Sequence, residues 1–251
     1  MSKISAVIIT LNEEKNLERC LKSLTFADEI IVVDSHSSDK TREIAKRFTD
    51  KIWEVHWEGF GKTKELARQK ASNAWIFSID ADEEVTPELK EEILQAVQNN
   101  SYSGYFVPRQ SLFLGKWMEH SGWYPDYVLR LFRNESGQFD EALVHEQAQV
   151  KGEMGYLKNP LQHYTYPNLK HYFNKLQRYT TLAAQQLNER KVKAYPWDLI
   201  FRPPATFFKM YLIKMGFLDG WQGLVLAVLS GYQVLIKYLK LWGLNFRNKN
   251  V

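Results

Sequence analysis

Four short apolar runs divide the first eighty residues, and each ends at a polar loop that leads towards a helix-like segment. Ile4 to Thr10 is continuously apolar, as a parallel strand buried on both faces would be. Asn12-Glu13-Glu14 follows and reads as a helix start, with Asn12 as cap, acids in the first turn and Leu17, Cys20, Leu21 and Leu24 at helical spacing. The second run, Glu29 to Val33, ends at Asp34 and leads through Ser35 to Asp39 into a helix reaching about Phe48. Ile52 to Val55 and Trp75 to Ile79 are the third and fourth strands, with a helix over Gly61 to Ala71 between them. Thr86-Pro87 then opens a helix to about Gln98. Alternation at this spacing specifies an α/β fold with a mostly parallel sheet. Ligands of such sheets sit at the carboxyl ends of the strands. Thr10 to Glu14, Asp34 to Asp39, Trp57 to Lys62 and Asp80 to Glu84 therefore carry the most weight.

Beyond Gly104 the pattern changes. Gly104 to Pro108 and Tyr127 to Phe132 read as strands between aromatic-rich loops, and the chain after Pro160 reads as mostly helical. A division follows: a catalytic domain over 1–160, in halves 1–100 and 101–160, then a helical extension over 161–251. The single cysteine, Cys20, excludes an internal disulfide and fits a reducing compartment. The first apolar run is too short for a signal peptide, so a cytoplasmic location is expected.

Asp80-Ala81-Asp82 follows the fourth strand directly. Two carboxylates one residue apart at a strand end suit a hard divalent cation, Mg²⁺ or Mn²⁺, that would also meet substrate phosphate. Surface loops contain the same spacing, and Glu83 and Glu84 make four acids in five residues, a repulsion that a cation or solvent must relieve. Asp34 is placed to accept hydrogen bonds from a base or ribose, or to sit in a solvated helix-entry loop. Lys62 and Arg68 are placed to meet phosphate, or to form a solvated basic helix face with Lys64 and Lys70. Trp117, Trp123, Tyr124 and Tyr127 gather near His120 and Asp126 and would serve either as a sugar-stacking platform or as core.

Taken together, Thr10-Leu11-Asn12-Glu13, then Val32-Val33-Asp34-Ser35-x-Ser37-x-Asp39, then Asp80-Ala81-Asp82-Glu83 resembles glycosyltransferase family 2, over about residues 1–100. Over most of the chain the resemblance extends to the lipopolysaccharide core β-glucosyltransferases. It is carried there by Gly122-Trp123-Tyr124-Pro125-Asp126, Leu129-Arg130-Leu131-Phe132, Val144-His145-Glu146 and Phe217-Leu218-Asp219-Gly220. The resemblance implies a GT-A, Rossmann-like fold, an inverting transfer and a UDP-sugar donor, UDP-glucose within the closer group. It implies that Thr10, Asn12, Glu14 and Asp34 line the nucleotide pocket with Lys62 nearby. Asp80, Ala81 and Asp82 would meet ribose and metal, with Asp82 and Asp80 as ligands. A lipid-linked saccharide such as inner-core heptose would be the acceptor.

An inverting displacement also needs a base across the sugar from the leaving diphosphate. Asp126, Asp140, Glu141 and Glu146 are candidates, and Glu146 is preferred because His145-Glu146 follows the strand-like Ala142 to Val144. His145 would meet metal or diphosphate, or be structural. Arg130 would meet acceptor phosphate or form a solvated strand edge. Trp123, Asp126, Arg130 and His145 make up the expected acceptor set. Commoner family members carry Glu-Asp and a downstream Gln-x-x-Arg-Trp, and neither occurs here.

The tail from Arg190 holds ten Lys/Arg against two acids, whereas the preceding chain is slightly acidic. Gly220 to Ile236 is an uncharged run of 17 residues, shorter than the roughly 20 that cross a bilayer. Basic residues that punctuate apolar runs favour an anionic leaflet over nucleic acid. The extension is therefore expected to lie peripherally on the inner face of the cytoplasmic membrane, or to pack as core or as a homo-oligomer contact. Two rivals stand beside the transferase. A sugar nucleotidyltransferase would want a Gly-rich basic loop where Leu11-Asn12-Glu13-Glu14 stands, and a non-catalytic scaffold would not need Asp34, Asp80 and Asp82.

Overall fold

The computed structural model describes residues 2–99, 101–140, 148–166 and 169–247, which form two compact units. The first unit comprises Met1–Gln110 with Asp126–His163. Its strands β1 (Ile4–Thr10), β2 (Glu29–Asp34), β3 (Ile52–Glu54) and β4 (Trp75–Asp80) lie side by side in the order β3-β2-β1-β4, all parallel. Helices α1 (Leu17–Ser23), α2 (Thr41–Ala45) and α3 (Phe60–Gln69) connect them. After β5 (Glu83–Val85) and α4 (Pro87–Ala96), β6 (Gly104–Phe113), β7 (Lys116–Trp117) and β8 (Asp126–Arg133) follow. β8 joins β4 antiparallel and pairs on its other side with β6. β9 (Gly137–Phe139) and β10 (Ala148–Val150) form a separate two-stranded antiparallel sheet, and β11 (Met154–Tyr156) runs parallel to β6.

The parallel sheet follows from its side chains. Val7, Ile8, Ile31, Val32, Ile76 and Phe77 are all essentially inaccessible, so β1, β2 and β4 are covered on both faces. Leu17, Cys20 and Leu21 of α1 pack with Leu89 and Ile93 of α4 on one face, and Ala67 of α3 packs on the other. The Thr86 hydroxyl caps α4 by accepting from Leu89 N at 3.1 Å, with Pro87 at the first helical position, as expected.

Several expected boundaries move, for identifiable reasons. Helix α1 begins only at Leu17, behind Asn16, and Asn12 caps nothing in it. Asn12 instead takes a left-handed backbone with φ 56°, which Asn tolerates better than most residues, and its side chain reaches across to Ser38. Helix α2 ends at Ala45, where Arg47 N and Phe48 N turn to the carbonyls three residues back. The chain after Pro160 does not enter a helix at once: β12 (Leu161–Tyr166) comes first, and its start pairs antiparallel with β5, Leu161 opposite Val85 and His163 opposite Glu83. The expected strand Ala142 to Val144 lies outside the described residues.

The second unit comprises Ser111–Pro125 with Tyr164–Val251. The segment 111–125, grouped by the sequence reading with the first 160 residues, belongs to this unit. Its Glu119 and His120 amides donate to the Asp219 carboxylate and Ser121 N donates to the Lys214 carbonyl. Among its described residues three helices fill the unit: α5 (Leu169–Glu189), α6 (Pro196–Phe208) and α7 (Gly220–Arg247), with a π turn at Lys209–Ile213 and a 3-10 turn at Gly216–Asp219 before α7. Phe113, Met118, Tyr172, Leu176 and Leu226 form one core, and Ala184, Ala194, Tyr238 and Leu241 another. Two glycines let α7 approach closely. A β-carbon on Gly223 would fall 1.8 Å from the Gly216 oxygen, and one on Gly231 would fall 2.9 Å from the Pro203 oxygen.

At the amino end of β2, Glu29 is buried and gathers donors from Lys51, the Ser5 hydroxyl, and the Ser72 amide and hydroxyl, the last two at 2.9 Å. Burial opposes its ionisation, but these donors outweigh burial and lower its pKa from 4.5 to about 2. A lowered folded-state value stabilises the fold above the unfolded value and is lost as pH falls towards the folded one. Glu29→Gln should therefore unfold at lower urea than wild type at neutral pH. The gap should close as pH drops from about 4.5 towards 2, as followed by urea midpoints across that range.

Candidate active site

The carboxyl ends of β1, β2 and β4 form one rim, because register aligns them. Thr10 stands opposite Asp34, and Ile9 stands opposite Asp80. At the β1–β2 part of the rim Asp34 is wholly buried. Its carboxylate accepts from the Thr10 hydroxyl at 2.9 Å, from Ser37 N at 2.8 Å and from the Ser37 hydroxyl. Asp34 is thus neither solvated nor at the surface; it folds the loop behind it. Around this carboxylate two loops are laced together. Asn12 N donates to the Ser37 hydroxyl at 2.8 Å, and the Asn12 side-chain oxygen accepts from Ser38 N at 2.8 Å. Glu13 N donates to the Thr41 hydroxyl, Glu14 N donates to Asp39, and the Glu14 carboxylate accepts from Lys40 N. Asn12, Glu14 and His36 remain exposed on this platform.

At the end of β4 an alternating chain of charges crosses the sheet. Lys64 Nζ lies 2.9 Å from one Asp80 oxygen, and Arg130 Nη2 bonds the other. The same Arg130 nitrogen reaches Glu83 Oε1 at 2.6 Å, and the other Glu83 oxygen accepts from Asp80 N at 3.0 Å. Arg109 stands 3.6 Å from Glu83 and donates twice to Asp126 Oδ2, at 3.0 and 2.6 Å. Three cations and three carboxylates therefore alternate in the order Lys64, Asp80, Arg130, Glu83, Arg109, Asp126. Glu83 is fully buried and the Arg130 side chain is 7% exposed. Burial works against ionising Asp80, but the charges of Arg130 and Lys64 outweigh it and hold the carboxyl well below its ordinary value. Burial likewise disfavours the Arg130 charge, and Asp80 and Glu83 more than restore it, so its pKa is raised.

This chain locks the turn that carries Asp82. The Asp82 carboxylate faces His163 of β12, with Oδ2 and Nε2 3.2 Å apart and both side chains partly accessible. Sequence reasoning did not single out His163. Its only sequence signal is alternation along a short strand, and strand β12 itself was not expected.

Among the expected nucleotide residues, the structure brings Thr10, Asn12, Glu14, Asp34, Asp80, Ala81 and Asp82 to the rim. Lys62 is different. Its ammonium lies on the exposed side of α3, 3.4 Å from Glu58, and the residue lines a cavity of about 730 Å³ with Thr63, Glu65, Phe139 and Asp140 that includes neither Asp80 nor Asp82. The lysine of α3 that reaches the rim is Lys64, which is buried, so the alternative of a solvated basic face does not hold for it. Arg68 of that face pairs with Glu65 and Asn134. Arg130 is not a solvated strand edge, because the end of β4 supplies its partner. Trp123 packs edge-on to Phe113 and beside Tyr166 in the core of the second unit. Glu141, His145 and Glu146 lie outside the described residues.

Comparison with known proteins adds three findings. Residues 5–165 match the family model described as "Glycosyl transferase family 2". The chain is 31% identical over 253 residues to the lipopolysaccharide core biosynthesis glycosyltransferase LpsC of Rhizobium meliloti (strain 1021), covering 92% of this chain and 91% of that protein. Among solved structures, S. aureus TarS is similar with a TM-score of 0.50 at 17% identity, over 93% of this chain and 49% of that chain. Its 1-349 form in complex with UDP-GlcNAc gives 0.50 at 15% identity, over 93% and 81%. At such identities these two structures speak for the fold alone.

Removing the central cation should expose the cost of the buried acids. Arg130→Met is expected to lower unfolding free energy by about 3–5 kcal/mol, because Asp80 and Glu83 are left without their shared partner. Adding Glu83→Gln should recover part of that loss. Urea denaturation of the single and double variants measures both, and an additive double loss would contradict the coupling.

Proposed function

The chain belongs to glycosyl transferase family 2 and has its GT-A-type α/β fold, and from that premise we propose what this glycosyltransferase moves and how. The donor is a UDP-sugar, UDP-glucose by the closer resemblance. The acceptor is a lipid-linked saccharide of the lipopolysaccharide inner-core type, met at the inner face of the cytoplasmic membrane through the basic, apolar C-terminal helices. The naming of LpsC for lipopolysaccharide core biosynthesis supports the acceptor class. The observation that carries the reading is the rim where β1, β2 and β4 end together and Asp82 faces His163 at 3.2 Å.

A divalent cation fits that pair. A carboxylate oxygen and an imidazole nitrogen suit Mn²⁺, and the carboxylate also suits Mg²⁺. No group of three or more His, Cys, Asp or Glu suited to a metal occurs among the described residues, so Asp82 and His163 would leave the other positions to phosphate oxygens and water. We assign the protein ligands to Asp82 and His163. Asp80, held between Lys64 and Arg130, keeps the turn in place and, with Ala81, borders the nucleotide. When bound, the cation supplies positive charge against the departing diphosphate.

The protein residues divide the remaining work. Asn12 and Glu14 border the base and ribose, on a platform that Asp34 and Thr10 hold from beneath. Glu146 takes the proton of the acceptor hydroxyl as its oxygen bonds to the anomeric carbon and the bond to UDP breaks, inverting that carbon. This assignment of the base rests on the sequence Val144-His145-Glu146.

The purified chain should gain thermal stability with UDP and Mn²⁺, and EDTA should remove most of the gain. A scaffold predicts no shift, and a nucleotidyltransferase predicts sugar-phosphate turnover with UTP. Asp82→Ala should abolish UDP release from UDP-glucose with acceptor while leaving the urea midpoint nearly unchanged. Retained turnover would refute the ligand assignment. Glu146→Gln should keep UDP-sugar affinity and lose roughly 10²–10⁴-fold in rate; near-normal turnover would move the base to another carboxylate.

A further inference from the structure

We infer that the outer face of α6 and of the first half of α7 rests in the plane of an anionic lipid leaflet, and that α7 does not cross it. The inference deepens the proposed membrane-bound acceptor and rests on that reading for its biological setting. Its physical basis lies within the second unit.

A helix on a water-facing surface turns its polar side outward. Helix α6 and the following π turn do the opposite. Phe201 is 67% exposed, and Phe208 and Leu212 continue its outward row at helical spacing, each more than half exposed. In α7, Trp221, Leu224 and Val228 repeat the pattern at steps of three and four. Between the helices Ile213 is 73% exposed. A run of large apolar side chains left in water on consecutive elements marks a contact surface.

Charge selects the occupant. From Pro196 to Arg247 the acids are Asp198 and Asp219, and both are buried. Asp198 turns inward to Tyr195 N and Arg202, and Asp219 to the amides of Glu119 and His120. Lys209 and Lys214 stay exposed beside the apolar row. A surface that buries its carboxylates and leaves aromatics and lysines outside is complementary to hydrocarbon beneath negative headgroups. It is not complementary to itself in charge, which weighs against a second copy as the occupant.

The packing of α7 decides between lying on the leaflet and crossing it. The helix over Gly216–Phe246 is long and apolar enough to cross by length and composition. Its second half is bound to α5, however. Lys240 Nζ contacts the Gln177 carbonyl at 2.9 Å and the Thr180 and Thr181 hydroxyls at 2.8 Å. The outward side of α5 carries Lys170, Asn174, Arg178 and Gln185, all exposed. A crossing α7 would carry these groups into hydrocarbon, where each charge alone costs several kcal/mol.

Flotation of the full chain with phosphatidylcholine vesicles, with and without phosphatidylglycerol, tests the inference. Binding should be at least tenfold stronger to the anionic vesicles and should weaken with salt. Lys209→Gln with Lys214→Gln should lower it by about tenfold or more, and Phe201→Ser with Phe208→Ser likewise. Both pairs lie at exposed positions and should keep transfer to a delipidated saccharide. Binding that is absent, or equal on neutral vesicles, would overturn the inference. So would sedimentation equilibrium showing a dimer that the Phe201→Ser and Phe208→Ser pair disrupts, or resistance of the bound protein to alkaline carbonate extraction, which marks a crossing helix. Failure of the wild type to use the delipidated saccharide would instead count against the acceptor reading, leaving flotation to decide the face by itself.

Discussion

The Arg130 guanidinium, buried between Asp80 and Glu83, is the interaction on which the rim of strand ends depends. Two carboxylates this close cannot both stay ionised inside a protein without a cation between them. Arg130 supplies that cation from the antiparallel strand β8, next to β4 in the sheet. Lys64 and Arg109 extend the alternation on either side, from α3 and β6. Buried ion pairs add little net stability over well-packed apolar residues. What this one supplies is position: Glu83 accepts from the Asp80 amide while Arg130 holds both acids, which ties down the two ends of the turn that carries Asp82.

The same economy governs the β1–β2 part of the rim. Asp34 is an inward-facing acceptor that gathers Thr10 and Ser37, and through Ser37 it holds Asn12. Asn12 and Glu14 stand on the outer, exposed side of these loops. Acids at strand ends thus divide into two kinds. Asp34, Asp80 and Glu83 are tied into the scaffold, and Asp82 stands partly accessible facing His163.

The second unit inverts the usual distribution of polarity. Its two late acids are inside and many of its aromatics are outside, and both facts trace to packing. Asp219 is needed by the amides of the loop before Ser121, and Asp198 caps the backbone at Tyr195. Gly223 and Gly231 let α7 settle closely on the 3-10 turn and on α6, while Trp221, Leu224 and Val228 of α7 stay exposed.

Much of this architecture was legible in the residues alone. Apolar runs at βαβ spacing specify a parallel sheet, because only strands buried on both faces tolerate such sequences, and the family resemblance rests on the acids that end them. Pattern could not reveal which charges would meet. Lys62 and Lys64 look alike in sequence, yet one faces solvent and the other enters the sheet; Arg130 reads as an edge residue until β4 supplies its partners; Asn12 reads as a cap until Ser38 arrives from 26 residues away. His163 carries no more than the alternation of a short strand, which gives no hint of its partner. The sequence by itself determined the strand–helix alternation of the first hundred residues, the rim at which acids collect and the excess of cations in the tail, because these depend on periodicity and composition. Only the tertiary structure decided which acids are scaffold, that His163 faces Asp82, and which side of the C-terminal helices is left bare, because each depends on contacts between segments far apart in the chain.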